Sequence, residues 1–116
     1  MQYMLLIYGS ESLGPTPGSD AFTQYIAAYT AFTAEIKESG AMIAGDGLQG
    51  VATATTVSVR NGKTEIVDGP FAETKEQFGG YYLIEAKDLD EATLIAAKIP
   101  TAKHGRIEIR PVMVFN

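Results

Sequence analysis

The chain contains no cysteine, so disulfide staples, thiol nucleophiles and thiolate metal sites are excluded together. It has one histidine, His104, which excludes a multi-histidine metal site within one subunit. Cations are sparse as well. Nine Lys and Arg stand against fourteen Asp and Glu, for a formal charge of −5 and a pI near 4.7, whereas neutralising phosphates needs clustered basic residues. No nucleic-acid partner is expected, and there is no basic amphipathic face for anionic lipid. No apolar run approaches the roughly 20 residues that span a bilayer. Met1-Gln2-Tyr3 opens directly into a strand-like run with no basic stretch ahead of it. The expectation is a cytoplasmic protein with no membrane contact, no metal and no cofactor.

What is present reads as one ordinary domain over residues 1–116. Hydrophobic residues make up 46% and charged residues 20%, which is globular usage, and the length suffices to bury a core. Residues 3–8, Tyr-Met-Leu-Leu-Ile-Tyr, are apolar on both alternating faces and predict a central strand. After a Gly-, Pro- and Ser-rich loop over 9–19, Phe22, Tyr25, Ile26, Tyr29, Phe32, Thr33 and Ile36 recur at helical spacing. Ser19 or Asp20 caps that helix and Gly40 stops it. Residues 41–44 form a short segment ending at a Gly45-Asp46-Gly47 turn. Asn61-Gly62 then calls for a type I′ hairpin between 55–60 and 63–67.

Asp68-Gly69-Pro70 ends the second arm, and residues 72–78 are read as a helical turn. Gly79-Gly80, like Gly45-Asp46-Gly47, reads as a turn signal, since neither GxxxxGK(S/T) nor GxGxxG is present. Tyr81 to Ala86 is a second strand apolar on both faces. Asp88 and Glu91 suit a capping box for a helix that buries Ala92, Ile95, Ala96 and Ile99 and stops at Pro100. Arg106 to Phe115 supplies the last strand. Strand, helix, strand with hairpin, strand, helix, strand is the split βαβ order of a ferredoxin-like α+β fold, βαββαβ with an extra β-hairpin and an antiparallel sheet. Two helices cover one face of such a sheet, so the apolar second face predicts a homodimer.

The run Asp68-Gly-Pro-Phe-Ala-Glu-Thr-Lys-Glu76, followed by Gly79-Gly-Tyr-Tyr-Leu-Ile-Glu-Ala86, resembles the DGPF proteins, a branch of the YCII-related families. The resemblance extends from Tyr3-Met-Leu-Leu-Ile-Tyr-Gly9 to Arg110-Pro-Val-Met113. It implies a dimeric α/β barrel made by packing two sheets together. In those families a histidine commonly sits eleven residues before the glycine closing the first helix, paired with an aspartate in a proposed acid/base dyad. Counting back from Gly40, this chain has Tyr29. An unperturbed tyrosine titrates at about 10, so it donates hydrogen bonds but is a poor resting base at neutral pH.

Asp46 is the carboxylate nearest beyond the first helix and the candidate partner of Tyr29, although flanking glycines suit a turn-capping role. Asp68, Phe71 and Glu73 have two readings. In one, Asp68 starts a turn and Phe71 plugs the core. In the other, Asp68 and Glu73 stand at the mouth of a cleft between sheet and helix, as base or ligand anchor. His104 is read as a solvated loop residue, and Arg60 and Arg110 as surface or interface partners of acidic neighbours. Three functions follow. The first is binding of a small polar or aromatic molecule in the cleft. The second is a weak isomerase or lyase using Tyr29 with Asp46 or Asp68, as the likeness to barrel enzymes such as muconolactone isomerase implies. The third is a regulatory accessory of an extracytoplasmic-function sigma factor, which the family's genomic context implies.

Overall fold

The computed structural model describes residues 1–115. In chain order the elements are β1 (Gln2–Gly9), α1 (Asp20–Glu38), β2 (Met42–Gly47), β3 (Thr55–Arg60), β4 (Lys63–Asp68), β5 (Gln77–Glu85), α2 (Leu89–Ala97) and β6 (Arg106–Pro111). Single 3₁₀ turns occupy Glu11–Leu13, Val51–Thr53 and Pro100–Lys103. β2, β5, β1 and β6 form one antiparallel sheet in that order, and β3 pairs only with β4. This is the ferredoxin-like arrangement with an added hairpin.

The period-2 pattern of β1 divides the sheet. Tyr3, Leu5 and Ile7 are buried under the helices, while Met4, Leu6 and Tyr8 are half-buried on the opposite face. Across from them, Ile84 and Tyr82 continue the helix-side face and Leu83 and Tyr81 the opposite one. Phe32 and Ile36 of α1, Ala92 and Ala96 of α2, and Ile99 close the core over the helix-side row. Burial of large apolar side chains such as Leu5 and Ile84, both fully excluded from solvent, contributes roughly 1.5–3 kcal/mol each.

The helix boundaries follow their caps. The Ser19 hydroxyl accepts from the Phe22 N–H at 3.1 Å, and Gly40 takes the left-handed φ of 82° that ends α1. The Asp88 carboxylate accepts from the Glu91 N–H at 2.9 Å, while the Glu91 carboxylate reaches back to the Lys87 N–H at 3.2 Å. Asn61 and Gly62 have φ of 52° and 75°, both positive as a type I′ turn requires.

Six local expectations need correction. Gly45-Asp46-Gly47 is the end of strand β2, and Gly79-Gly80 lies inside β5. Residues 72–78 form no helical turn, because β5 already begins at Gln77 to pair with Gly9. Pro100 follows the end of α2 at Ala97 and opens a 3₁₀ turn, where its missing N–H is not needed. β6 stops at Pro111, since β1 runs out of partners at its own start. Phe71 is 90% exposed and plugs no core.

Candidate functional site

The apolar stripe of α1 is buried only in its second half. Phe32 and Ile36 are in the core, but Tyr29 and Tyr25, one and two turns nearer the start, are half-exposed, and Ile26 is exposed. Between this first half of α1 and the sheet lies a cleft of about 620 Å³, within the range of small-molecule sites. Tyr25, Ile26, Tyr29 and Thr33 form its roof, and Ile7, Gly47, Gly80 and Tyr82 its floor. Thr101 and His104 stand at its end. The segment from Gly9 to Pro15 frames the mouth. It is held by the Glu11 carboxylate, which accepts the Val51 N–H at 3.1 Å, and by the Glu11 N–H, which donates to Gln77 Oε1 at 2.9 Å.

Three hydroxyls converge in the cleft. Thr101, with 4% exposure, places its Oγ1 against the Tyr25 hydroxyl and, at 2.5 Å, against that of Tyr29. The Tyr25 and Tyr29 rings pack edge-on with centroids 5.2 Å apart, and the His104 ring lies 6.0 Å from that of Tyr25. Burial pushes the Tyr29 phenol above its ordinary value, an effect the Thr101 hydrogen bond only partly offsets. Tyr29 therefore stays protonated across the physiological range and serves as a donor rather than a base. Deeper in, the Tyr82 and Thr33 hydroxyls bond each other at 2.7 Å.

The sequence candidates are distributed differently from the expectation. Tyr29 lines the cleft, but Asp46 does not meet it. Asp46 pairs in register with Tyr81 and accepts a hydrogen bond from the Tyr81 hydroxyl at 2.8 Å. Tyr82 faces the helices, so alternation puts the side chains of Tyr81 and Asp46 on the far face, although both residues border the cleft. That carboxylate raises the half-exposed Tyr81 phenol above its ordinary value, first by its hydrogen bond and then by its charge. Asp68, Phe71 and Glu73 are exposed at the end of β4 and beyond, and none lines the cleft. The turn reading of Asp68 agrees with this placement, since Gly69 takes φ of 111° immediately after it. Arg60 sits at the hairpin tip, where its guanidinium donates to the Val59 carbonyl at 3.1 Å. Arg110 lies opposite Met4 on the far face.

Tyr25, Thr101 and the exposed His104 are cleft residues that sequence reasoning did not assemble. Tyr25 carried a signal, because it precedes Tyr29 by one helical turn. Thr101 carried none. Among the described residues no three or more His, Asp or Glu side chains gather as a metal site, and no helix is long and apolar enough to cross a membrane.

A helix-roofed cleft on a ferredoxin-like sheet, closed by paired tyrosines, defines a small α+β domain with a ligand-sized cavity. The YCII-related domain family matches residues 1–116 in full, and the chain belongs to that family. An uncharacterised protein of Rhizobium meliloti (strain 1021) is 32% identical over 118 residues, spanning 100% of this chain and 95% of its own. Among solved structures, 5-chloro-2-hydroxyhydroquinone dehydrochlorinase from Burkholderia phenoliruptrix AC1100, in complex with 2,5-dihydroxybenzoquinone, superposes with a TM-score of 0.56 at 16% identity. The match covers 97% of this chain and 94% of that one. At that identity the likeness concerns the fold.

Proposed function

We propose that this protein binds a small polar or aromatic molecule in the cleft between the sheet and the first half of α1. The observation that carries the reading is the open cavity of about 620 Å³ whose end holds the Tyr25–Thr101–Tyr29 hydroxyl cluster. An apolar wall with a few convergent polar groups is the usual constitution of a small-molecule site. The fold neighbour's complex with a hydroxylated ring supports the same class of ligand. The isomerase or lyase reading asks for a carboxylate base beside Tyr29. Asp46 turns its carboxylate to the far face and Asp68 lies on the hairpin, so binding without turnover is the better account. A titration of labelled protein with a panel of hydroxylated aromatic and quinoid compounds, including 2,5-dihydroxybenzoquinone, tests it. Saturable amide shifts at Tyr25, Tyr29, Gly47 and Thr101 are the expected outcome, and shifts scattered elsewhere overturn the reading.

The protein works as a homodimer in this reading. Met4, Leu6, Tyr8, Tyr81 and Leu83 leave the β1–β5 centre of the far face apolar and half-exposed, flanked by Asp46 of β2 and Glu108 and Arg110 of β6, and Val57, Val59 and Ile66 are each more than half exposed on the hairpin. An isolated two-stranded hairpin is marginally stable, so a second copy covering these surfaces accounts for both. The same surfaces are what support the regulatory-accessory reading, and a second copy, which brings the same apolar strip to the contact, is the occupant favoured here. Light scattering at micromolar concentration should return twice the chain's 12.4 kDa. A monomeric mass would return these surfaces to a heterologous partner in the cytoplasm.

A further inference from the structure

Three of the glycines bordering the cleft differ in what the fold demands of them. At Gly45 a Cβ would come within 2.6 Å of the Tyr82 ring, and at Gly80 within 2.8 Å of the Asp46 carbonyl. Packing therefore explains both. Gly47 pairs with Gly80 on the helix-side face, yet a Cβ there would meet nothing within 4 Å. Its φ is not in the left-handed region either, so the backbone makes no demand for glycine. Glycine inside a strand weakens it and often marks the close approach of a ligand. Next to it, the register slips at Ile7/Tyr8 where β1 pairs β5, an irregularity common beside binding sites. The result is a stretch of bare strand at Gly47 and Gly80, forming a flat floor beneath the tyrosines.

The hydroxyl cluster sets the ligand's polarity. Three hydroxyl hydrogens serve two oxygen–oxygen contacts. Thr101 is buried and its hydroxyl has no partner besides the two tyrosines, so it donates to one and accepts from the other. One phenolic O–H is left uncommitted to Thr101, and both phenols line the cleft. Burial keeps the Tyr29 phenol protonated, so the cleft offers a donor and the ligand must bring an acceptor.

We propose that Gly47 is a specificity-determining residue that keeps the cleft floor flat. It selects a planar ring whose carbonyl or equivalent oxygen accepts from the free phenolic O–H of the Tyr25–Thr101–Tyr29 cluster. This rests on the binding function proposed above and adds the shape and polarity of the ligand.

The test compares 2-quinolone with its ring-saturated analogue decahydro-2-quinolone, which has the same amide oxygen on a puckered frame. Both are titrated by NMR into the wild-type protein, Gly47→Ala, Gly47→Val and Tyr25→Phe/Tyr29→Phe. The wild type should prefer the planar probe by at least about tenfold in Kd. Gly47→Val should remove about tenfold of affinity for the planar probe, with Gly47→Ala intermediate and neither losing melting temperature, since the added atoms enter open space. The double phenylalanine variant should bind 2-quinolone as weakly as Gly47→Val does. Equal affinity of the wild type for both probes, localised to the cleft, would overturn the flat-floor inference and leave cleft binding standing. Cleft binding itself fails if neither probe nor any member of the hydroxylated panel shifts cleft amides, and the inference falls with it. Should Gly47→Val unfold, Gly47→Ala carries the test, and an unchanged planar preference in it overturns the assignment of Gly47.

Discussion

Replacing Thr101 by valine keeps the shape of the side chain and removes the hydroxyl that joins Tyr25 to Tyr29. Two hydrogen bonds are lost. Each is worth about 0.5–1.5 kcal/mol net, and the tyrosines are half-exposed at a wet cleft, so their hydroxyls recover part of this from water. The expected cost is about 1–2 kcal/mol. With an unfolding entropy of ~2.1 cal/mol/K per residue, a 116-residue chain loses about 4 °C in Tm per kcal/mol. Thr101→Val should therefore melt about 4–8 °C below the wild type. The value of the Tyr29 contact alone comes from a cycle of Thr101→Val, Tyr29→Phe and the double variant, measured by urea unfolding. A coupling of about 0.5–1.5 kcal/mol is expected. Additivity within about 0.3 kcal/mol would refute the argument, because the hydroxyls would then contribute nothing through each other.

Gly45→Ala drives a Cβ into the Tyr82 ring and toward the Tyr81 carbonyl, and should cost about 1–3 kcal/mol by overpacking; chemical denaturation reads this directly. Leu5→Ala, at a fully buried position, should cost about 3 kcal/mol from the 2–5 range for such cavities, with the urea midpoint as the check. Tyr29 has its phenol raised in the folded state from an ordinary value of 10.0. The folded protein then holds a proton that the unfolded chain releases, so this contribution is complete below pH 10 and is lost as pH rises beyond it. The wild-type Tm should consequently fall more steeply above about pH 10 than that of Tyr29→Phe, and parallel profiles would contradict the shift. Asp46→Asn removes the carboxylate that raises Tyr81. One tyrosine in the ultraviolet titration should then move down toward its ordinary value, and an unchanged titration would mean that the pair does not form in solution.

Where the sequence carries its signals locally, the fold was legible. Ser19 and Asp88 cap helices, Asn61-Gly62 turns a hairpin, and β1 declares its two faces, each through chemistry contained in a few neighbouring residues. The cleft is assembled otherwise. Thr101 reaches Tyr25 and Tyr29 from 76 and 72 residues away, and nothing around it in the chain announces that role. The glycines of β2 and β5 look like punctuation because glycine serves a turn and a close-packed strand equally. Only the Tyr82 ring over Gly45 and the Asp46 carbonyl against Gly80 tell the two apart.

Asp46 shows most sharply how a carboxylate expected beside Tyr29 comes to point elsewhere. Met42 packs against the core opposite Ile84, and unbroken alternation from it would carry Ala44 and then Asp46 onto the same helix-side face, beneath Tyr29. The register shifts between Met42 and Ala44, where β2 spends two steps against one of β5, from Ile84 to Leu83. A single extra residue inverts every side chain after it. Asp46 is thereby sent to the far face to meet Tyr81, while Gly45 and Gly47 are brought round to the cleft. The same irregularity that removes a carboxylate from the proposed dyad lays bare backbone beneath the tyrosines. The loss of the expected acid/base pair and the baring of strand backbone at the cleft are two results of one inserted residue.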